Sequence, residues 1–226
     1  MNERRRQTGS LASIMVIVAV GPVESSRRAD GGIPSTCITI ERITPPCVTH
    51  TTGWVAPACA ATRSRIALEQ PAALYSSDLP RARETAEEIA RRTGVEPIYD
   101  ARWREVDVGE WIGLAPNEAK ERFPEGFARW LAGGTGWEQG ESYPEMAERG
   151  LAAARDVVAA NDDARAPIVC VTHGGVIRSL VMHVLGMPPT ARRLLSTGPT
   201  ATITAIDAVA PAWRLRSFND AGHLPR

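Results

Sequence analysis

Three short segments carry residues whose types and spacing suit anion and proton chemistry. The first is VCVTHGGVIRSL, residues 169–180. A histidine placed directly after a buried strand sits at the carboxyl edge of a sheet. Gly174 and Gly175 let a ligand approach the backbone, and the helix that follows offers free N–H groups and a positive dipole end. The competing reading is a histidine that only caps the helix. The second is SSDLPRARETA, residues 76–86. Arg81 lies in the first turn of a helix after a strand, so its guanidinium can reach the same edge. Arg83 is the alternative, and spacing alone does not choose between them. The third is REVDVGEWIG, residues 104–113. Glu105 precedes a glycine-containing loop and is a candidate general acid.

The elements that must position these residues are legible around them. An apolar run from Met15 to Val20, closed by Gly21, suits a central parallel strand covered on both faces. Residues 72–76 form a short strand, and Pro80 to Gly94 bounds a helix with Asp78 as its candidate N-cap and Ala82, Ala86, Ile89 and Ala90 on one face. Residues 95–99 are a further strand. Ser142 and Glu145 make a capping box that opens a helix to about Ala160. Residues 168–172 are a second buried strand, and Gly174 to Leu185 is a helix that ends at Gly186. Residues 200–206 and 213–218 alternate in polarity and are expected to pair antiparallel. Strands alternating with helices imply an α/β fold, a three-layer α/β/α sandwich with a mostly parallel central sheet. Its ligand site belongs at strand tips, here Val20–Gly21 and Thr172–His173–Gly174. Residues 1–13 are expected to be a disordered leader, and residues 14–226 a single domain. Within it, residues 25–65 are irregular, with a weakly signalled helix at 48–61, and residues 111–140 form a variable insertion whose Trp111, Trp130 and Trp137 suit an apolar wall of the ligand site or, at least as well, ordinary packing.

Composition narrows the function classes. Twenty-six basic residues balance 26 acidic ones, and 43% of the 226 residues are hydrophobic. A zero net charge argues against a non-specific nucleic-acid binder, which needs a positive excess. The first apolar run is too short to span a bilayer. Cys37, Cys47, Cys59 and Cys170 show no CxxC spacing and no metal-finger relation to histidine, so neither a metal site nor a cofactor is expected. Free thiols in a reducing cytoplasm are the expected state, with Cys170 buried. Among the other histidines, the spacing of His183 to Val176 and Leu180 suggests a core position, while His50 lies in the irregular stretch and His223 near the C-terminus.

Taken together and in order, the three segments resemble the histidine phosphatase superfamily, the phosphoglycerate-mutase-like proteins. GES at 140–142 and FNDAGHL at 218–224 strengthen the resemblance, which covers residues 70–224. It implies that Arg81, His173 and Gly174 bind phosphate, that Glu105 and His173 are catalytic with Glu105 the proton donor, and that a small phosphorylated or anionic molecule is the partner. The departure lies at the first strand. The family's Arg-His-Gly motif there supplies the histidine that attacks phosphorus, but Ala19 and Val20 precede Gly21 in this chain. Glu24 still matches a downstream acid, and RITPPC at 42–47 is similar to the family's Leu-Thr-x-x-Gly with Cys47 replacing glycine. Valine has no lone pair and cannot carry a phosphoryl group. The expectation is therefore an anion pocket without the nucleophile, inactive or repurposed as a phosphatase. Two alternatives stand beside it: an active phosphatase or mutase-like enzyme with an atypical site, and an acid–base enzyme that uses Glu105 and His173 without a phosphoenzyme.

Overall fold

The computed structural model describes residues 12–18, 55–197, 200–209 and 212–224. The tip at Val20–Gly21, His50, Cys37, Cys47 and the positions of Ala19 and Glu24 lie outside the described residues. So does residue 48–54 of the helix expected at 48–61.

Six strands form one sheet in the order β3-β2-β4-β1-β5-β6. These are β1 (Ala12–Val18), β2 (Ala73–Ser76), β3 (Pro97–Tyr99), β4 (Ile168–Thr172), β5 (Ile203–Val209) and β6 (Ala212–Asp220). The first four in chain order run parallel, and β5 pairs antiparallel with both β1 and β6. The expected antiparallel pair at the C-terminus is therefore present, its first strand begun three residues later and its second one residue earlier than the polarity pattern suggested. β1 starts at Ala12, inside the segment expected as leader. Ala12 and Ser13 face Ala208 and Asp207, so the ladder with β5 extends the strand beyond its apolar run.

The helices are α1 (Val55–Leu68), α2 (Pro80–Thr93), α3 (Pro116–Arg122), α4 (Pro124–Leu131), α5 (Tyr143–Ala160) and α6 (Gly174–Val184). Strand β4 shows why they form two layers. All five of its residues are buried. Ile168 and Cys170 pack with Met146, Ala153, Val157, Val176, Ile177 and Leu180 of α5 and α6. Val169 and Val171 point the other way and pack with Ile66, Ala82, Ala86 and Ile89 of α1 and α2. Side chains of a strand alternate between faces, so a strand apolar at every position must be covered on both. The result is the expected three-layer α/β/α sandwich.

Two helix ends read as expected. Gly94 closes α2 at φ +72° and returns its N–H to the Ala90 carbonyl. The Ser142 hydroxyl accepts from the Glu145 amide and the Glu145 carboxylate from the Ser142 amide, which completes the capping box of α5. A third end corrects the sequence reading. Leu79, not Asp78, is the N-cap residue of α2, and no side chain caps it. The Asp78 carboxylate is instead taken by the Arg104 fork, at 2.6 and 2.5 Å, a charged pairing stronger than a neutral cap. That pairing holds the Asp78 carboxyl below its ordinary range.

Candidate active site

The sheet order creates a switch point. From β1 the chain crosses to β2, on the far side of β4, whereas from β4 it crosses to β5, on the far side of β1. Crevices at the carboxyl ends of strands flanking such a reversal are the usual ligand sites of α/β sheets. Val18 of β1 lies beside Thr172 of β4, and Ser76 of β2 beside Val171. The residues that leave these strands are delivered to one edge.

His173 leaves β4 there. It is 3% exposed and occupies the N-cap position of α6 without a side-chain capping bond. The capping reading is thus excluded. Its Nε2 is hydrogen-bonded to Ser77 Oγ at 2.9 Å, and Ser77 leaves β2 with its own amide on the Val171 carbonyl. Ser77 is itself fully buried, so its hydroxyl orients the imidazole and is not accessible as a nucleophile. Burial lowers the proton affinity of His173 well below the ordinary value of 6.5, and the charges of Arg81 and Arg149 lower it further. His173 is therefore a neutral imidazole at pH 7.

That shift makes a stability prediction. The folded state holds its proton less tightly than the unfolded chain, so the unfolded chain binds more protons below pH 6.5. The contribution of neutral His173 is complete above that pH and is lost as pH falls, by at most about 1.4 kcal/mol per unit. Denaturant melts at pH 7.5 and 5.5 check it. The parent loses more stability on acidification than His173→Asn, in which this linkage is gone.

Arg81, in the first turn of α2, is the arginine brought to this edge. Burial weakens its hold on its proton and the charge of the Glu105 carboxylate strengthens it. Arg83 is turned away, with its guanidinium stacked 3.8 Å over the Tyr99 ring. Of the two, Arg81 is the one whose charge acts on His173 and feels that of Glu105.

Glu105 arrives on the loop after β3. Its Oε2 accepts the Gly175 amide at 3.0 Å and its Oε1 the Val106 amide at 2.9 Å. Gly175 is required for this approach, because a Cβ there would stand 2.1 Å from Oε1. Gly174, which opens α6, is also close to its surroundings: a Cβ would meet Thr197 Oγ1 at 2.8 Å. His173, Arg81, Glu105 and Gly174 are thus gathered at one sheet edge.

The sequence reading missed the residues that hold this group. Ser77 orients His173. The Arg104–Asp78 pair joins the loop of Glu105 to the start of α2. Arg149 of α5 is bound to Glu141 and to the backbone around Glu105. The one available signal was Glu141 beside the capping Ser142, since a lone arginine on a helix reads as surface.

Other expectations change or hold. His183 is exposed, not core; in the last turn of α6 its ring meets only the edge of Trp213 on the outer strand β6. His223 Nε2 lies 2.8 Å from the Thr62 hydroxyl and 3.0 Å from the Ala201 carbonyl, a bond between elements. Cys170 is a free buried thiol whose pKa is raised by burial. Trp111, Trp130 and Trp137 do not line the crevice. They pack with Phe123, Phe127 and Tyr143 into a separate aromatic core. No group of His, Cys, Asp and Glu among the described residues could hold a metal ion. Among the described residues, no helix is long and apolar enough to cross a membrane.

This architecture is an α/β/α sandwich that gathers His173, Glu105 and the start of α6 at the carboxyl edge of its sheet. Residues 57–221 match the model of the histidine phosphatase superfamily (branch 1), and the chain belongs to that superfamily. It is 35% identical over 159 residues to a probable phosphoglycerate mutase of Klebsiella pneumoniae, covering 67% of this chain and 72% of that protein. It is 29% identical over 160 residues to a metal-independent phosphoserine phosphatase of Arabidopsis thaliana, covering 69% of this chain but 64% of the relative, less than two thirds of its length. The fold is similar to that of a mycobacterial glucosyl-3-phosphoglycerate phosphatase, with a TM-score of 0.74 at 23% identity over 93% of this chain and 100% of that one.

Proposed function

We propose that this protein binds a small phosphomonoester at the edge formed by Arg81, His173 and Gly174, and that it does not turn it over by the superfamily's covalent route. The observation that carries the reading is the gathering of Arg81, His173, Glu105 and Gly174 at one sheet edge together with Ala19 and Val20 where the superfamily's arginine and attacking histidine are expected. Arg81 supplies a fixed positive fork for phosphate oxygens. His173, neutral and oriented by Ser77, can donate one hydrogen bond. The N-terminus of α6 adds backbone N–H groups and a favourable dipole for an anion. Glu105 stands beside Gly175 as the group that would give a proton to a departing ester oxygen. The names of the relatives, phosphoserine and phosphoglycerate proteins, favour a small phosphorylated acid as ligand. A cytoplasmic location suits the free thiol of Cys170.

Calorimetry with inorganic phosphate and a phosphomonoester tests the pocket. The parent binds, and Arg81→Ala weakens binding by about tenfold to a hundredfold, the size of one lost charge-assisted contact. No heat from the parent at millimolar phosphate would remove the pocket from consideration.

A further inference from the structure

Arg149 lies on α5, an element that supplies none of the residues His173, Arg81, Glu105 and Gly174. Its side chain is 22% exposed, and that of Glu141 19%. A partly buried arginine in the third layer of a sandwich calls for an account, because desolvating a guanidinium is costly unless its donors are matched.

They are matched completely. Nε donates to Glu141 Oε1 at 2.5 Å and Nη2 to Glu141 Oε2 at 2.7 Å. Nη1 donates to the carbonyls of Arg102 and Arg104, each at 2.7 Å. Nη2 also donates to the carbonyl of Glu105 at 3.1 Å. All five N–H groups of the fork are engaged. Three of them end on the main chain of residues 102–105, the segment that delivers the Glu105 carboxylate to the Gly175 amide. The Glu141 carboxylate fixes the fork in turn, and its own backbone is tied to the same loop, with the Glu141 amide on the Asp107 carbonyl at 2.8 Å.

We propose that Arg149, oriented by Glu141, is a positioning residue: it sets the loop of residues 102–105 so that the Glu105 carboxylate is held against the start of α6, facing the anion pocket. Lysine cannot replace it, because three donors on a flexible stem cannot meet a carboxylate and three carbonyls in one plane. Burial does most to keep His173 neutral, and the charge of Arg149 adds to it after that of Arg81, so the clamp also bears on the second group of the edge. The catalytic meaning of the clamp rests on the reading of Glu105 as a proton donor; its geometry does not.

The experiment has two arms in the full chain. In the first, amide exchange by NMR is compared for the parent, Arg149→Lys and Glu141→Gln. Protection at the Gly175 and Val106 amides falls about tenfold or more in both variants, while the amides of β4 stay within about twofold. The Gly175 amide proton resonance moves in the same direction as in Glu105→Gln. In the second, Arg149→Lys is placed in the Ala19→Arg, Val20→His background. There kcat for an alkyl phosphate, a poor leaving group that needs the proton, drops about tenfold more than kcat for p-nitrophenyl phosphate, with KM nearly constant. Unchanged exchange in both variants, or a loss spread evenly over β4, overturns the proposal. So does an active background in which both substrates slow equally. If the background is inactive the first arm decides alone. Failure of the parent to bind phosphate undoes the pocket reading and leaves the amide result standing.

Discussion

Replacing Ala19 with arginine and Val20 with histidine raises turnover of p-nitrophenyl phosphate by about a hundredfold or more over a parent that shows none above background. The reason is the loss of the one atom the covalent route cannot do without. In that route an imidazole nitrogen attacks phosphorus, a P–N bond forms as the ester P–O bond breaks, and an acid protonates the departing oxygen; water then releases the phosphate. A valine side chain offers no electron pair for the first step, and removal of a nucleophile from an otherwise complete site costs several orders of magnitude in rate. Arginine at 19 supplies a second fork for the phosphate oxygens. The residues proposed for the remaining roles stand at the carboxyl edge of β2 and β4: Arg81, His173 on Ser77, and Glu105 on Gly175. A steady-state assay with parent and double variant measures it. Rapid turnover by the parent, abolished by His173→Ala alone, would replace this reading with one in which His173 or a neighbour acts as an unusual nucleophile.

The second large effect is on stability. Trp111→Ala destabilises the fold by about 3–5 kcal/mol, the range for deleting a fully buried large aromatic side chain. Trp111 is fully buried, with the rings of Phe123, Phe127, Trp130 and Trp137 between 5.7 and 6.4 Å from it. The surrounding backbone is fitted to the indole. A Cβ on Gly136 would stand 2.5 Å from its ring, and one on Gly126 would stand 2.1 Å from the Gly136 carbonyl, so helix α4 and the loop after it are already in close contact with each other around the indole. The consequence reaches the site. Glu110, next in the chain, accepts the amides of Glu138 and Gln139 at 2.7 and 3.0 Å, and the segment they lead into carries Glu141. Urea unfolding of parent and variant gives the number. A loss under about 1 kcal/mol would mean that the insertion contributes little to the cooperative unit.

The insertion also shows how sequence and structure divided the problem. Three tryptophans in residues 111–140 are equally consistent with a substrate wall and with packing, because composition does not say which side of a helix a ring faces. The short helices α3 and α4 turn them on one another, and they close a small core of their own. His183 illustrates the same limit. Its spacing to Val176 and Leu180 is that of a buried face, yet in the last turn of α6 its ring is exposed, with Trp213 of β6 beside it. Asp78 had the composition and position of a cap, but Arg104, brought in by a loop 26 residues away, offered it a stronger partner.

The sequence by itself determined the layers and the ligand edge. Apolarity at every position of β4 demands cover on both faces. Gly94, the Ser142–Glu145 box and Pro80 mark helix ends by local chemistry that no distant contact is needed to impose. His173 after a buried strand and ahead of two glycines could be placed from its neighbours alone, and the absence of histidine at Ala19 and Val20 is a fact of the chain. Tertiary structure alone decided which arginine serves that edge and what holds it together. Arg81 and Arg83 differ by two positions on one helix, a rotation whose meaning depends on where β4 and Tyr99 lie. Ser77 with His173, Arg104 with Asp78, and Arg149 with Glu141 and residues 102–105 are contacts between segments 8 to 96 residues apart. Local propensity carries no information about such pairs, because they form only when packing of the three layers has already brought the segments together.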